Sequence, residues 1–134
     1  MFIVEELKDS TELRELVDAS NIDEDFDYRA HIYHVGREAG KIVGVIVYRL
    51  QDFSDGKVLP RFIHVIFDRS IQRTKKIILL LLKSQKMIKE LGYNQMFCLV
   101  KEDKQDMITY AKKFGFQEWS ETEHGKLLYK NIGE

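Results

Sequence analysis

Cysteine is almost missing from this chain. Cys98 stands alone, which excludes an internal disulfide, and its apolar run Met96-Phe97-Cys98-Leu99-Val100 marks it as a buried strand residue with an inert thiol. Proline is equally scarce, with one residue beside eight glycines, which speaks against long disordered stretches. Neither sign of charge is in surplus: 21 Lys and Arg face 22 Asp and Glu. No general attraction to nucleic acid or to a membrane surface is expected, and any anion site must be local. The longest apolar run, Ile77 to Leu82, is far shorter than the roughly 20 residues that cross a bilayer as a helix. It is expected to be core or interface. Met1 to Glu6 carries no basic region and does not read as a secretory signal, so a cytoplasmic setting is expected. His31 and His34 lie three apart in a strand-like run and point to opposite faces, so no metal site is expected. A Ser-His-Asp nucleophile elbow, a Walker loop and a dinucleotide glycine fingerprint are all missing, which removes the commonest α/β enzyme classes.

What is present is an ordered series of short elements that fits one domain over residues 1–134. Phe2-Ile3-Val4 reads as a strand. Asp9 or Ser10 can cap a following helix through Leu13, Leu16 and Val17, and 21–29 reads as a short helix or lid-like connection. His31 to Gly36 and Lys41 to Leu50 are β-rich runs around a polar link, an antiparallel hairpin. A turn at Ser54-Asp55-Gly56-Lys57 leads to Arg61 to Phe67, whose β-branched and aromatic content suits a central strand. Thr74 to Leu91 switches to helical period, with Ile77, Leu80, Leu81, Ser84, Met87, Ile88 and Leu91 on one face and Gly92 as the stop. Ile78, Leu79 and Leu82 widen that face and offer a patch for a homodimer or another assembly partner. Gln95 to Val100 is a strand. Asp103 caps a helix whose inner face is Met107, Tyr110, Ala111 and Phe114, and two strands, 116–121 and 126–131, close the chain.

This order, with Gly40-Lys41-Ile42-Val43-Gly44-Val45-Ile46-Val47, Glu90-Leu91-Gly92-Tyr93 and Phe114-Gly115-Phe116, resembles the GNAT acyltransferase superfamily over nearly the whole chain. The resemblance implies a mixed, mainly antiparallel sheet flanked by helices on both faces. It also implies an N-acyltransferase that moves an acetyl group from acetyl-CoA to an amine of unstated identity. In that family the pantetheine lies between the fourth and fifth strands, here Ile66, Phe67 and Asp68, and the pyrophosphate on the loop before the long helix. That loop falls on Gln72-Arg73-Thr74-Lys75-Lys76-Ile77. Gln72 matches the family pattern, whereas Lys75 and Ile77 replace its two glycines, and the cations of the segment offer charge in place of close backbone approach.

The tyrosine that many family members use as acid toward the leaving thiolate is replaced by Ala111. Tyr110, one place earlier and about 100° around the helix, is either a core residue or its substitute. His64 is either a core or cleft histidine or the base that takes the amine proton, with Glu5, Glu6 and Asp68 as other carboxylate candidates. Trp119 reads as a core or sheet-face aromatic. The alternative to the enzyme is a GNAT-like binding or assembly module. Small phage-encoded GNAT-like proteins, some virion-associated, are similar in their basic loop before the long helix, which would place the chain in a host cytoplasm or a virion.

Overall fold

A computed structural model describes residues 1–7, 31–53, 55–68, 71 and 75–133, without the side chains of His31 and His64. Its strands are β1 (Phe2–Leu7), β2 (His31–Glu38), β3 (Lys41–Asp52), β4 (Val58–Phe67), β5 (Gln95–Val100), β6 (Gln117–Thr122) and β7 (Gly125–Asn131). Its helices are α1 (Lys75–Glu90), between β4 and β5, and α2 (Gln105–Lys113), between β5 and β6. The expected helix through Leu13 to Val17, its cap at Asp9 or Ser10 and the connection 21–29 lie outside the described residues.

The strands form one sheet in the order β1-β2-β3-β4-β5-β7-β6. Neighbours are antiparallel except β4 and β5, so the mixed, mainly antiparallel architecture expected from the sequence is present. The β2–β3 hairpin closes at Ala39-Gly40, both with positive φ, as the right-handed twist of a two-residue hairpin requires. Both helices pack into one apolar cluster, where Leu80, Ile88 and Ile108 meet Ile46, Tyr48, Met96, Cys98 and Leu128. The second cluster, on the other face, joins Leu7, Tyr33, Val35, Ile42, Val45, Val47 and Ile66. Ile42 reaches the same face as Val45 because Val43 is the extra residue of a bulge opposite Gly36 and Arg37, and one extra residue reverses the alternation.

Two packing expectations need correction. In α2 the buried residue is Ile108, with Ala111 and Phe114 half-buried, while Met107 and Tyr110 point outward. Met107 and Ile108 are adjacent and both apolar, so the sequence period admits either register, and the sheet beneath selects the one in which Ile108 is covered. Lys104 rather than Asp103 is the N-cap, with no side-chain hydrogen bond. In α1 the inward stripe is narrow: Leu80, Ser84 and Ile88 are buried. Ile78, Leu79, Leu82 and Leu91 are exposed.

Gly125 opens β7 at φ +139°, and a Cβ there would stand 2.4 Å from the Val100 carbonyl oxygen. Backbone cannot yield as a side-chain tip can. Gly125→Ala is therefore expected to lower stability by about 2 kcal/mol or more, read from denaturant midpoints. An unchanged midpoint would show that β5 and β7 are not held at this register.

Candidate functional site

The parallel partners β4 and β5 are joined at only two register positions, Arg61 with Phe97 and Phe62 with Cys98. Immediately beyond, Ile63 is an extra residue in β4, since Val47 pairs with His64 while Tyr48 pairs with Phe62. A bulge bends its strand and raises the local twist, and here it coincides with the point where β4 leaves β5. From there to Phe67, β4 stays bound to β3, and β5 stays bound to β7 through Val100. The two edges that face each other carry no ladder bonds, so backbone N–H and C=O groups along both are left to a ligand or to water.

Downstream, the Asp68 amide donates to the Val43 carbonyl at 2.7 Å. Ile71 is buried beside Leu80 at Gly44, where an added Cβ would lie 3.0 Å from Leu80 and 3.2 Å from Ile71. Glycine at 44 thus lets α1 sit close on β3. Its first turn holds no acidic residue, so no carboxylate of that turn offsets the partial positive charge of a helix start. Lys75 projects to solvent. Lys76 is engaged, 3.0 Å from Glu38, and it holds the Glu38 carboxyl below the usual carboxylate range.

A sheet split along one parallel pair, with a helix starting beside the split, is the geometry to compare with known proteins. The sequence matches no family model and no curated protein. Solved structures do match. A GNAT-family acetyltransferase from Streptococcus pneumoniae superposes with a TM-score of 0.73 at 16% identity, covering 99% of this chain and 100% of that one. The ribosomal-protein-S18-alanine N-acetyltransferase of Escherichia coli gives 0.73 at 13% identity, covering 100% and 96%. The PaiA N-acetyltransferase of Thermoplasma acidophilum, in complex with coenzyme A, gives 0.59 at 15% identity, covering 74% and 59%. The chain has the GNAT fold.

In this GNAT fold Ile66 and Phe67 lie on the split stretch of β4 and point to opposite faces. Ile66 enters the cluster of Val45, and Phe67 leans on the helix-side core. Asp68 follows, its carboxylate 3.9 Å from the Lys41 ammonium. Gln72, Arg73 and Thr74 lie outside the described residues. Lys75, Lys76 and Ile77 open α1. His64 sits on β4 opposite Val47, one residue past the bulge. Tyr110 is 71% exposed and is no core residue, since the inward position beside it belongs to Ala111. Glu5 is paired with Arg37 at the far side of the sheet, on β1 and β2. Among the described residues no group of three His, Cys, Asp or Glu could hold a metal, and no helix is long and apolar enough to cross a membrane. Cys98 is buried as expected, and burial pushes its thiol up to about 12.

Sequence reasoning missed a buried polar cluster under α1. His34 Nδ1 lies 2.6 Å from Ser84 Oγ, and the Tyr48 hydroxyl lies 2.8 Å from the same oxygen. All three residues are at most 1% exposed. The available signal was Ser84 inside an otherwise apolar helical stripe, together with two polar-tipped residues on one face of adjacent strands. His34 pairs with Ile46, two residues from Tyr48, the diagonal placement that lets side chains touch.

Burial lowers the His34 pKa from 6.5 to about 4. The folded chain therefore keeps His34 neutral over a range where the unfolded chain already binds a proton, so stability is full above pH 6.5 and falls as pH drops toward 4. A shift of that size corresponds to roughly 3 kcal/mol. Denaturant melts between pH 7 and 4 should show this loss, and His34→Gln should flatten the part of the profile that belongs to this residue. A parent profile flat through that window would contradict a neutral buried His34. Ser84→Ala, which leaves both partners unsatisfied, is expected to cost about 1–3 kcal/mol at pH 7.

Proposed function

We propose that this chain is an N-acyltransferase that moves an acetyl group from acetyl-CoA to an amine. The observation that carries the reading is the split between β4 and β5. Its free backbone edges suit a pantetheine arm with amides of its own, and the acid-free first turn of α1 suits the pyrophosphate. The likeness in fold to acetyltransferases, one of them a coenzyme A complex, supports the same assignment. Lys75 and Ile77 stand where the family pattern has glycine, and Lys75 is exposed at the helix start. Phosphate seating here rests on cations, Lys75 together with Arg73, more than on close backbone approach.

In the reaction the acceptor nitrogen attacks the thioester carbonyl carbon, the C–N bond forms and the C–S bond breaks. His64, at the first position past the bulge, is the proposed base for the amine proton, and imidazole titrates in the right range for that role. The departing thiolate takes its proton from water. Ala111 cannot supply one, and Tyr110 is turned away with its ring in solvent. Loss of a positioned acid typically costs roughly 10²- to 10⁴-fold in rate, so turnover is slow.

Steady-state acetyl transfer to a panel of amines and peptides tests the chemistry. His64→Ala is expected to lower kcat by about 10²-fold or more, and Tyr110→Phe to leave it within about twofold. A large kcat loss in Tyr110→Phe with unchanged CoA affinity would return the acid role to that phenol. Absence of transfer to every amine would refute the reaction. Calorimetric titration tests binding separately: CoA affinity should fall with added salt and in Arg73→Ala/Lys75→Ala. Salt-independent binding that survives both changes would place the phosphates elsewhere.

A further inference from the structure

On the sheet face away from α1, the register lines up one row across five strands. Arg49 stands opposite Arg61, Arg61 beside Phe97, Phe97 opposite Tyr129 and Tyr129 opposite Gln117. Two arginines directly across a strand pair are unfavourable, because their Cβ atoms lie about 4.5–5.5 Å apart and like charges repel. No acidic residue occupies any position in the row, and neither arginine has an ion-pair partner among the described residues. Arg61 Nε is buried without a hydrogen bond, and an orphaned donor of this kind costs stability until something accepts from it. Beside the pair is an aromatic group. The Phe53 ring is 5.2 Å from Phe97 and 5.9 Å from Trp119, and Trp119 is 6.3 Å from Tyr129. Phe97 is covered, whereas Trp119, the extra residue of a bulge in β6, keeps 48% of its surface open.

We propose that Arg49 and Arg61, flanked by Phe53 and Trp119, form a binding site for a small aromatic oxyanion, a ring carrying a carboxylate or a phosphate. Guanidinium forks match the geometry of an oxyanion. Such a ligand offsets the like-charge conflict by placing a negative charge against both guanidinium groups. Its ring stacks on the open indole, where offset or edge contacts add to apolar burial. A long polyanion is disfavoured by the near-neutral chain, in which 21 Lys and Arg face 22 Asp and Glu. The row lies on the paired stretch of β4 and β5, before the split begins.

Trp119 is the only tryptophan, so the site carries its own reporter. Indole fluorescence is titrated with phenyl phosphate, benzoate and neutral benzyl alcohol, and inorganic phosphate is added as a competitor. The expected result is a saturable change with phenyl phosphate or benzoate, none with benzyl alcohol, and at least tenfold weaker binding in Arg49→Gln/Arg61→Gln. The two anions distinguish a phosphate from a carboxylate ligand. No saturable change with either anion, an equal response to benzyl alcohol, or undiminished binding in the double variant would overturn the proposal. Thermal melts guard against misfolding: the double variant should melt no lower than the parent, because a repulsion has been removed. A lower melting point would mark the arginines as structural and also count against the site.

Discussion

Hydrogen bonding between β4 and β5 stops after two positions, and the candidate acyl-CoA site exists only because it stops. Had the parallel ladder continued past Phe62 and Cys98, the backbone groups of Ile63 to Phe67 on that edge would be satisfied within the sheet and closed to a ligand. Ile63 supplies the local cause. As an extra residue against β3, it adds bend and twist to β4, while β5 keeps its full antiparallel pairing to β7. The two strands are thus held firmly on their outer sides and free on the sides that face each other.

Keeping that split beside a helix start requires α1 to be fixed against the sheet. Gly44 permits close approach of Leu80 and Ile71, and Ser84 ties the middle of the helix to two strands through His34 and Tyr48. Apolar packing alone would tolerate a shift of α1 along or around its axis, because a widened stripe of leucine and isoleucine offers several similar contacts. A buried serine with two fixed partners tolerates much less, since any other placement strands polar groups in the core. The outward position of Ile78, Leu79 and Leu82 agrees with one selected rotation of the helix.

Much of this was legible in the sequence where periodicity changes sharply. The hairpin around Ala39-Gly40, the long helix ending at Gly92 and the strand holding Cys98 all follow from alternation, helical spacing or a glycine stop. Tyr110 was harder, because Met107-Ile108 and Tyr110-Ala111 each offer two adjacent residues for one inward place, and only the sheet beneath α2 decides. The polar cluster was hidden for a related reason. His34, Tyr48 and Ser84 are far apart in sequence, and their meeting depends on strand register and on the position of a helix over it. The bulge at Ile63 has no signature in a nearly continuous apolar run, so the split could be expected only from the resemblance in fold.

Amide hydrogen exchange along β4, with and without CoA, tests most directly whether the split is a ligand site. Alternate amides from Ile63 to Phe67 face the unpaired side. Saturating CoA is predicted to slow their exchange selectively, together with amides of the first turn of α1, while those bonded to β3 change little. Unchanged exchange on both edges at CoA concentrations up to the millimolar range, or protection confined to another surface, would contradict the assignment of the split as the acyl-CoA site.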